Sequence, residues 1–160
     1  MDKPLTTTET VKAEWIDYNG HMNVAYYVLV FDHATDALLE ALGMGPDWRD
    51  LNKASAFVAE AHVTYDSEVG LGDVLAVETR IAGWDSRRIQ VLHVMSCAGR
   101  RVATNEVMLL FMDMTARRVA ALPQAILSAI RAHAEAAVPD RALLGRAVRQ
   151  LPPSDAGQVT

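Results

Sequence analysis

Trp15-Ile16-Asp17-Tyr18-Asn19-Gly20-His21-Met22-Asn23-Val24-Ala25-Tyr26-Tyr27 is the stretch on which the reading of this chain turns. Asp17 to Gly20 is a turn signal, because Asp, Asn and Gly tolerate tight backbone geometry. A long helical pattern follows at once. Val24, Tyr27, Val28, Phe31, Ala34, Leu38, Ala41 and Leu42 recur at spacings of three and four, and Leu29, Val30, Ala37 and Leu39 widen the stripe. A helix apolar over so much of its girth is expected to be buried on several sides. Asn23 is placed to cap its start, and Gly43 to stop it.

Outward from that helix the period changes. Thr8 to Ile16 alternates loosely and predicts a short strand, and Gly43 to Asn52 reads as a loop. Four strand candidates come next, at residues 55–67, 73–81, 88–97 and 102–114. Their short Gly- and Asp-bearing separators predict an antiparallel meander of hairpins. In the first of these strands Phe57, Ala59, Ala61, Val63 and Tyr65 alternate onto one face, and Val58, Glu60, His62 and Thr64 onto the other. Pro123 sits near the start of an amphipathic helix carrying Ile126, Leu127 and Ile130. Residues 1–137 are read as one domain and 138–160 as a C-terminal tail, part of it able to dock. A sheet must have its apolar face covered. With one long helix available, the expected architecture is α+β, an antiparallel sheet wrapped around a long central helix.

Composition narrows the function. The 160 residues are 51% hydrophobic and 22% charged, enough for one sizeable core. The net charge of −5 argues against a nucleic-acid partner, which needs a concentrated basic surface. A lone cysteine, Cys97, makes no intramolecular disulfide and no CxxC metal site, and suits a reducing compartment. The polar start, Met1 to Thr10, lacks the form of a signal peptide, and no apolar run approaches a membrane span. These features predict a cytoplasmic protein with no membrane partner.

The chemistry sits in the opening stretch. The first-turn N–H groups of a helix have no intrahelical acceptor, and with the helix dipole they favour developing negative charge. A thioester carbonyl aimed at them would be polarised and its oxyanion stabilised. Asp17, just upstream, is placed to attack that carbonyl or to activate water for the attack. Gly20 lets a substrate approach the backbone. The scheme calls for no metal and no resident cofactor.

D-x-x-G-H-M-N-x-x-x-Y, from Asp17 to Tyr27, resembles the signature of hotdog-fold thioesterases of the 4-hydroxybenzoyl-CoA thioesterase type. Tyr65, Gly72-Asp73 and Met112-Asp113 fall where that family has them, and the resemblance covers roughly residues 8 to 135. It implies that Asp17 is the catalytic carboxylate. The backbone N–H at or near Val24 polarises the carbonyl, and His21 and Asn23 shape the turn and line the site. It also implies a homodimer joined edge to edge, with sites at the subunit interface, in which dimers can pair into tetramers. Coenzyme A enters as part of the substrate. W-x-D-Y-N-G-H-M, with Ala34-Thr-Asp-Ala-Leu-Leu39, Glu60-Ala-His-Val-Thr-Tyr65 and Asn105-Glu106-x-Met108, is similar to the betainyl-CoA thioesterases of carnitine breakdown. That likeness implies hydrolysis of a trimethylammonium acyl-CoA to glycine betaine and free CoA.

Aromatic faces and carboxylates hold a quaternary ammonium, which donates no N–H bond. Trp15, Tyr18, Tyr26 and Tyr27 cluster at the motif, Asp32, Asp36 and Glu40 form an acidic row, and Glu60 is a further candidate. Each has a plainer reading as core, solvated face or dimer contact. Arg87 and Arg88 on a hairpin are candidates for the CoA phosphates. Two other functions fit the same residues: a hotdog hydratase or dehydratase using His21 and Asp17, and a non-catalytic acyl-CoA-binding module.

Overall fold

The computed structural model describes residues 3–148. Strand β1 (Leu5–Thr10) leads to helix α1 (Val24–Ala41) and the short helix α2 (Pro46–Asn52). Strands β2 (Ala54–Tyr65), β3 (Val74–Trp84), β4 (Arg88–Cys97), β5 (Arg100–Asp113) and β6 (Arg118–Val119) follow, then helix α3 (Gln124–Ala136). The strands form one antiparallel sheet in the order β1-β3-β4-β5-β2, with β6 on β5.

The first strand lies earlier than Thr8 to Ile16. Leu5–Thr10, rich in β-branched threonine, is the part that pairs with β3. The chain then bends, and Ala13–Trp15 forms a single 3₁₀ turn that buries Trp15. The loop expected over 43–52 contains α2, which Pro46 opens from the first helical position. Only β3, β4 and β5 form the expected meander. β2 crosses to the far side and pairs with β5, because residues 66–73 are a connection long enough to pass the start of α1. Met22 N–H donates to Val69 O at 2.9 Å along that connection.

The even alternation expected in β2 is also broken. A register shift between Val58 and Glu60 leaves Ala59 unpaired, so the phase reverses there. Val58 pairs with Leu109 and Ala61 with Val107, both on the α1 side of the sheet, whereas Phe57 falls on the outer side with Glu60 and His62. β2 ends the strand order and, among the described residues, has no neighbour beyond it.

Helix α1 runs along the sheet and belongs to two apolar clusters. Its C-terminal half places Leu38, Leu39 and Leu42 against Ile81, Ile89, Val91, Val107, Leu109 and the α3 residues Ile126 and Ile130. Its N-terminal half places Tyr27, Val30, Phe31 and Ala34 against Leu75, Val77, Met95 and Ala103. Between them lies a polar seam. His93, fully buried, joins Thr35 Oγ1 through Nε2 at 3.0 Å and Thr79 Oγ1 through Nδ1 at 2.9 Å. Thr35 donates its own proton to Phe31 O at 3.1 Å, which makes His93 Nε2 the donor to Thr35 and Nδ1 the acceptor from Thr79. One acceptor is left over: Asn105 Oδ1, opposite His93 in the ladder, is buried without a partner among the described residues.

Burial of α1 is one-sided. Val24, Val28 and Leu29 are exposed, contrary to a helix enclosed on several sides. The described part of the tail lies on the sheet: Leu143 is buried, Gly145 N–H donates to Glu106 Oε2 at 2.8 Å, and Arg146 Nη2 to Thr104 Oγ1 at 2.7 Å. The remainder of the tail, 149–160, falls outside the described residues. Among the described residues no helix is long and apolar enough to cross a membrane.

Candidate active site

Backbone bonds build the turn before α1. Ile16 and Met22 form an isolated antiparallel bridge, Asp17 N–H donates to His21 O at 3.0 Å, and Gly20 N–H to Asp17 O at 3.0 Å. Asp17 Oδ1 accepts Asn19 N–H at 2.8 Å, an Asx turn that orients the carboxylate. Gly20 takes φ +80°, a conformation that a side chain would strain.

Asn23 then starts the helix. Its Oδ1 accepts Ala25 N–H at 2.9 Å, its carbonyl accepts Tyr26 N–H at 3.0 Å, and its own N–H donates to Trp15 O at 2.9 Å. Each donor around Val24 is therefore engaged, while no hydrogen bond among the described residues occupies the Val24 N–H itself. A donor left open at a capped helix start is what an oxyanion requires.

Val24 itself lines a cavity of about 530 Å³, together with Met22, Tyr27, Tyr65, Asp66, Ser67, Glu68 and Arg100. Tyr27 OH donates to Ser67 O at 3.2 Å, and Tyr65 OH makes a long contact of 3.5 Å with Val24 O. The two rings meet edge to face, 5.3 Å apart at 88°. Burial pushes the Tyr27 phenol above its ordinary pKa, against a backbone hydrogen bond at Val69 that lowers it; Glu68, Tyr65 and Asp73 add to the rise. Burial also raises Tyr65. Both rings therefore stay neutral donors at physiological pH. Glu68 approaches His21 Nδ1 at 3.3 Å, and Asp66 is bound to Arg101 Nε at 2.7 Å.

The expected site residues divide. Val24 and Tyr27 line the cavity, Asn23 caps the helix beside it, and His21 adjoins it through Glu68. Asp17 and Gly20 stand on the adjoining turn, with Asp17 one hydrogen bond from His21. Trp15 is not in the lining: it is buried, stacked on Tyr26 at 5.5 Å, with Lys12 Nζ already 5.1 Å over its ring. Tyr18 is 97% exposed on the turn. Glu60 belongs to a second hollow, of about 490 Å³, on the outer face with His62, Gln90, Glu106 and Arg146. Arg87 and Arg88 lie on the β3–β4 hairpin, away from the cavity lining. There Arg88 Nη2 is 2.6 Å from Asp85, whose carboxyl its hydrogen bond holds below the usual range.

Sequence reasoning placed none of Ser67, Glu68 and Arg100 at the site, and treated Tyr65 as a landmark of the family pattern. They reach the cavity because β2 ends beside the start of α1 and the β4–β5 hairpin stands next to it, placements that no local pattern encodes.

Comparison with known proteins names the lineage. Residues 11–130 match the model of the thioesterase-like superfamily. This chain belongs to that superfamily. It is thus a thioester hydrolase, and its antiparallel sheet curled on one helix is the hotdog fold. A Staphylococcus aureus protein solved in complex with CoA has the same fold with a TM-score of 0.89 and 28% identity, over 94% of this chain and 98% of that one. Two thioesterase relatives are similar in sequence. The betainyl-CoA thioesterase of Pseudomonas aeruginosa is 38% identical over 158 residues, 96% of this chain and 99% of that protein. The L-carnitine dehydrogenase/betainyl-CoA thioesterase of Agrobacterium fabrum is 42% identical over 154 residues, 92% of this chain but 32% of that protein. The chain thus spans about a third of the length of the two-function relative.

Proposed function

We propose that this thioesterase hydrolyses a small acyl-CoA, betainyl-CoA, to glycine betaine and free CoA. The observation that carries the chemistry is the open Val24 N–H at a capped helix start, beside a cavity and next to the turn that holds Asp17. The two betainyl-CoA thioesterase relatives support the choice of acyl group. The thioester carbonyl accepts the Val24 N–H, and Asp17 drives the attack, directly or through water. The C–S bond breaks, the thiolate leaves and is protonated as CoA, and one water is consumed overall. Removing one such oxyanion donor typically costs about 10²–10³ in kcat. Water is the only co-reactant in this scheme, and CoA arrives as part of the substrate.

The same reading includes a homodimer. Val24, Val28 and Leu29 on α1 and Val58 and Tyr65 on β2 are exposed apolar groups, Tyr65 OH reaches Val24 O, and among the described residues no strand pairs with the outer edge of β2. Exposed edges of this kind invite pairing. Joining two β2 edges would continue the sheet and cover the flank of α1. A cytoplasmic location fits the single free thiol, Cys97.

The test is thiol release from betainyl-CoA, a small neutral acyl-CoA, a long-chain acyl-CoA and 4-hydroxybenzoyl-CoA. Highest kcat/KM on betainyl-CoA is expected. Preference for any other ester would overturn the choice of substrate, and hydration of an enoyl-CoA without thiol release would overturn the reaction.

A further inference from the structure

Resting on the betainyl-CoA reading, the geometry points to Glu68, with the ring of Tyr65 backed by Tyr27, as the seat of the substrate's trimethylammonium group and so as the determinant of acyl specificity. In betainyl-CoA the cationic nitrogen is separated from the thioester carbonyl by one methylene. A carbonyl held at Val24 N–H therefore fixes the cation within a few ångströms of the helix start. The groups there are few. Tyr27 lies one turn along α1 from Val24, and Tyr65 OH reaches Val24 O. Tyr27 is buried behind Tyr65, which packs on it edge to face and, itself half-exposed, presents the aromatic surface on the cavity wall. Such faces attract a quaternary ammonium, which a hydrogen-bond acceptor alone cannot hold.

The cavity's carboxylates are not equivalent. Asp66 is neutralised by Arg101 at 2.7 Å. Among the described residues Glu68 has only the looser 3.3 Å approach of His21 Nδ1, and its side chain is 72% exposed. Its charge is the one left for a ligand. Arg100 carries the opposite sign on the same lining. That suits this ligand, which is cationic at the acyl end and anionic along its CoA phosphates, the kind of group a guanidinium binds. Trp15, the other aromatic of the motif, is unsuited to the role because Tyr26 stacks on it and Lys12 stands over its ring.

The test compares betainyl-CoA with its neutral isostere 3,3-dimethylbutyryl-CoA, in which carbon replaces the quaternary nitrogen. The readout is the ratio of their kcat/KM values, which cancels general losses of activity. Wild type should favour betainyl-CoA. Glu68→Gln should lower the ratio about tenfold, as loss of one partly solvated charge implies. Tyr65→Leu should lower it by about threefold or more, while Tyr65→Phe, which keeps the ring, should preserve it. A wild-type preference that persists unchanged in Glu68→Gln and Tyr65→Leu would overturn the seat and leave the substrate reading standing. A wild type with no preference for betainyl-CoA over the isostere would overturn both.

Discussion

Two histidines mark two kinds of polar site in this molecule. His93 is enclosed in the seam between the apolar clusters, with both ring nitrogens bonded to threonine hydroxyls. His21 is half-exposed on the turn before α1, loosely paired with Glu68, beside a helix N–H that has no partner among the described residues. The seam is closed and, Asn105 Oδ1 aside, satisfied; it holds α1 in register on the sheet. The helix start is open and unsatisfied. Buried polar groups are normally paired, and the completed network at His93 positions the scaffold; the exposed first-turn donor at Val24 is instead accessible to a ligand.

Substitutions should separate the two sites. The largest effect belongs to the open one: loss of the Asp17 carboxylate should remove most turnover and little stability. At the closed site the order reverses. His93→Ala leaves two buried hydroxyls without their partner and opens a cavity, at a cost of about 2–4 kcal/mol in unfolding free energy. The folded fraction should keep wild-type kcat, with denaturant titration and activity measured on the same sample.

Acid probes the same contrast. Burial lowers the His93 pKa from 6.5 to about 4. Between those values the unfolded chain binds a proton that the folded chain refuses. Stability should therefore fall as pH drops from 6.5 towards about 4, by up to about 3 kcal/mol for this group, and no further below. Subtracting the profile of a His93→Asn variant isolates the contribution of His93 from that of the carboxylates, and identical profiles would contradict it.

Asn23→Ala is a smaller change that touches the open site through its frame. Loss of the cap on Ala25 N–H should cost about 1 kcal/mol. It should also lower kcat more than it raises KM, because the Val24 donor loses its fixed direction. The smallest effect on the folded chain itself is expected at the β2 edge. Val58→Lys should alter stability of the isolated chain by about 0.5 kcal/mol or less, yet, if β2 edges join in the proposed homodimer, shift the mass seen by light scattering from that dimer to a monomer.

What the sequence revealed, and what it hid, follows the range of the interactions. Helix α1 with Asn23 and Gly43 at its ends, and the β3–β4–β5 meander, were legible because periodicity, capping and short turns are local. The Asp17 turn was legible for the same reason. The crossing of β2 to the far side of β5 was not, since strand partners are chosen by long-range packing. Nor was the shift at Ala59, which turned Phe57 away from Ala61 and brought Val58 onto the same face as Ala61. The cavity wall depends on that crossing, so Glu68 and Arg100 stayed hidden while Val24 and Tyr27 did not. The apolar flank of α1 was visible as apolar; its exposure in the single chain was not.

The most direct test of the account is single-turnover thiol release from betainyl-CoA by wild type and Asp17→Asn, with thermal unfolding of both. Asparagine keeps the Oδ1 acceptor that Asn19 N–H requires, so the turn and the unfolding temperature should be preserved. The rate should fall by about 10²–10⁴-fold, the usual contribution of an acid–base group. A folded Asp17→Asn protein that releases thiol at the wild-type rate would contradict the central claim.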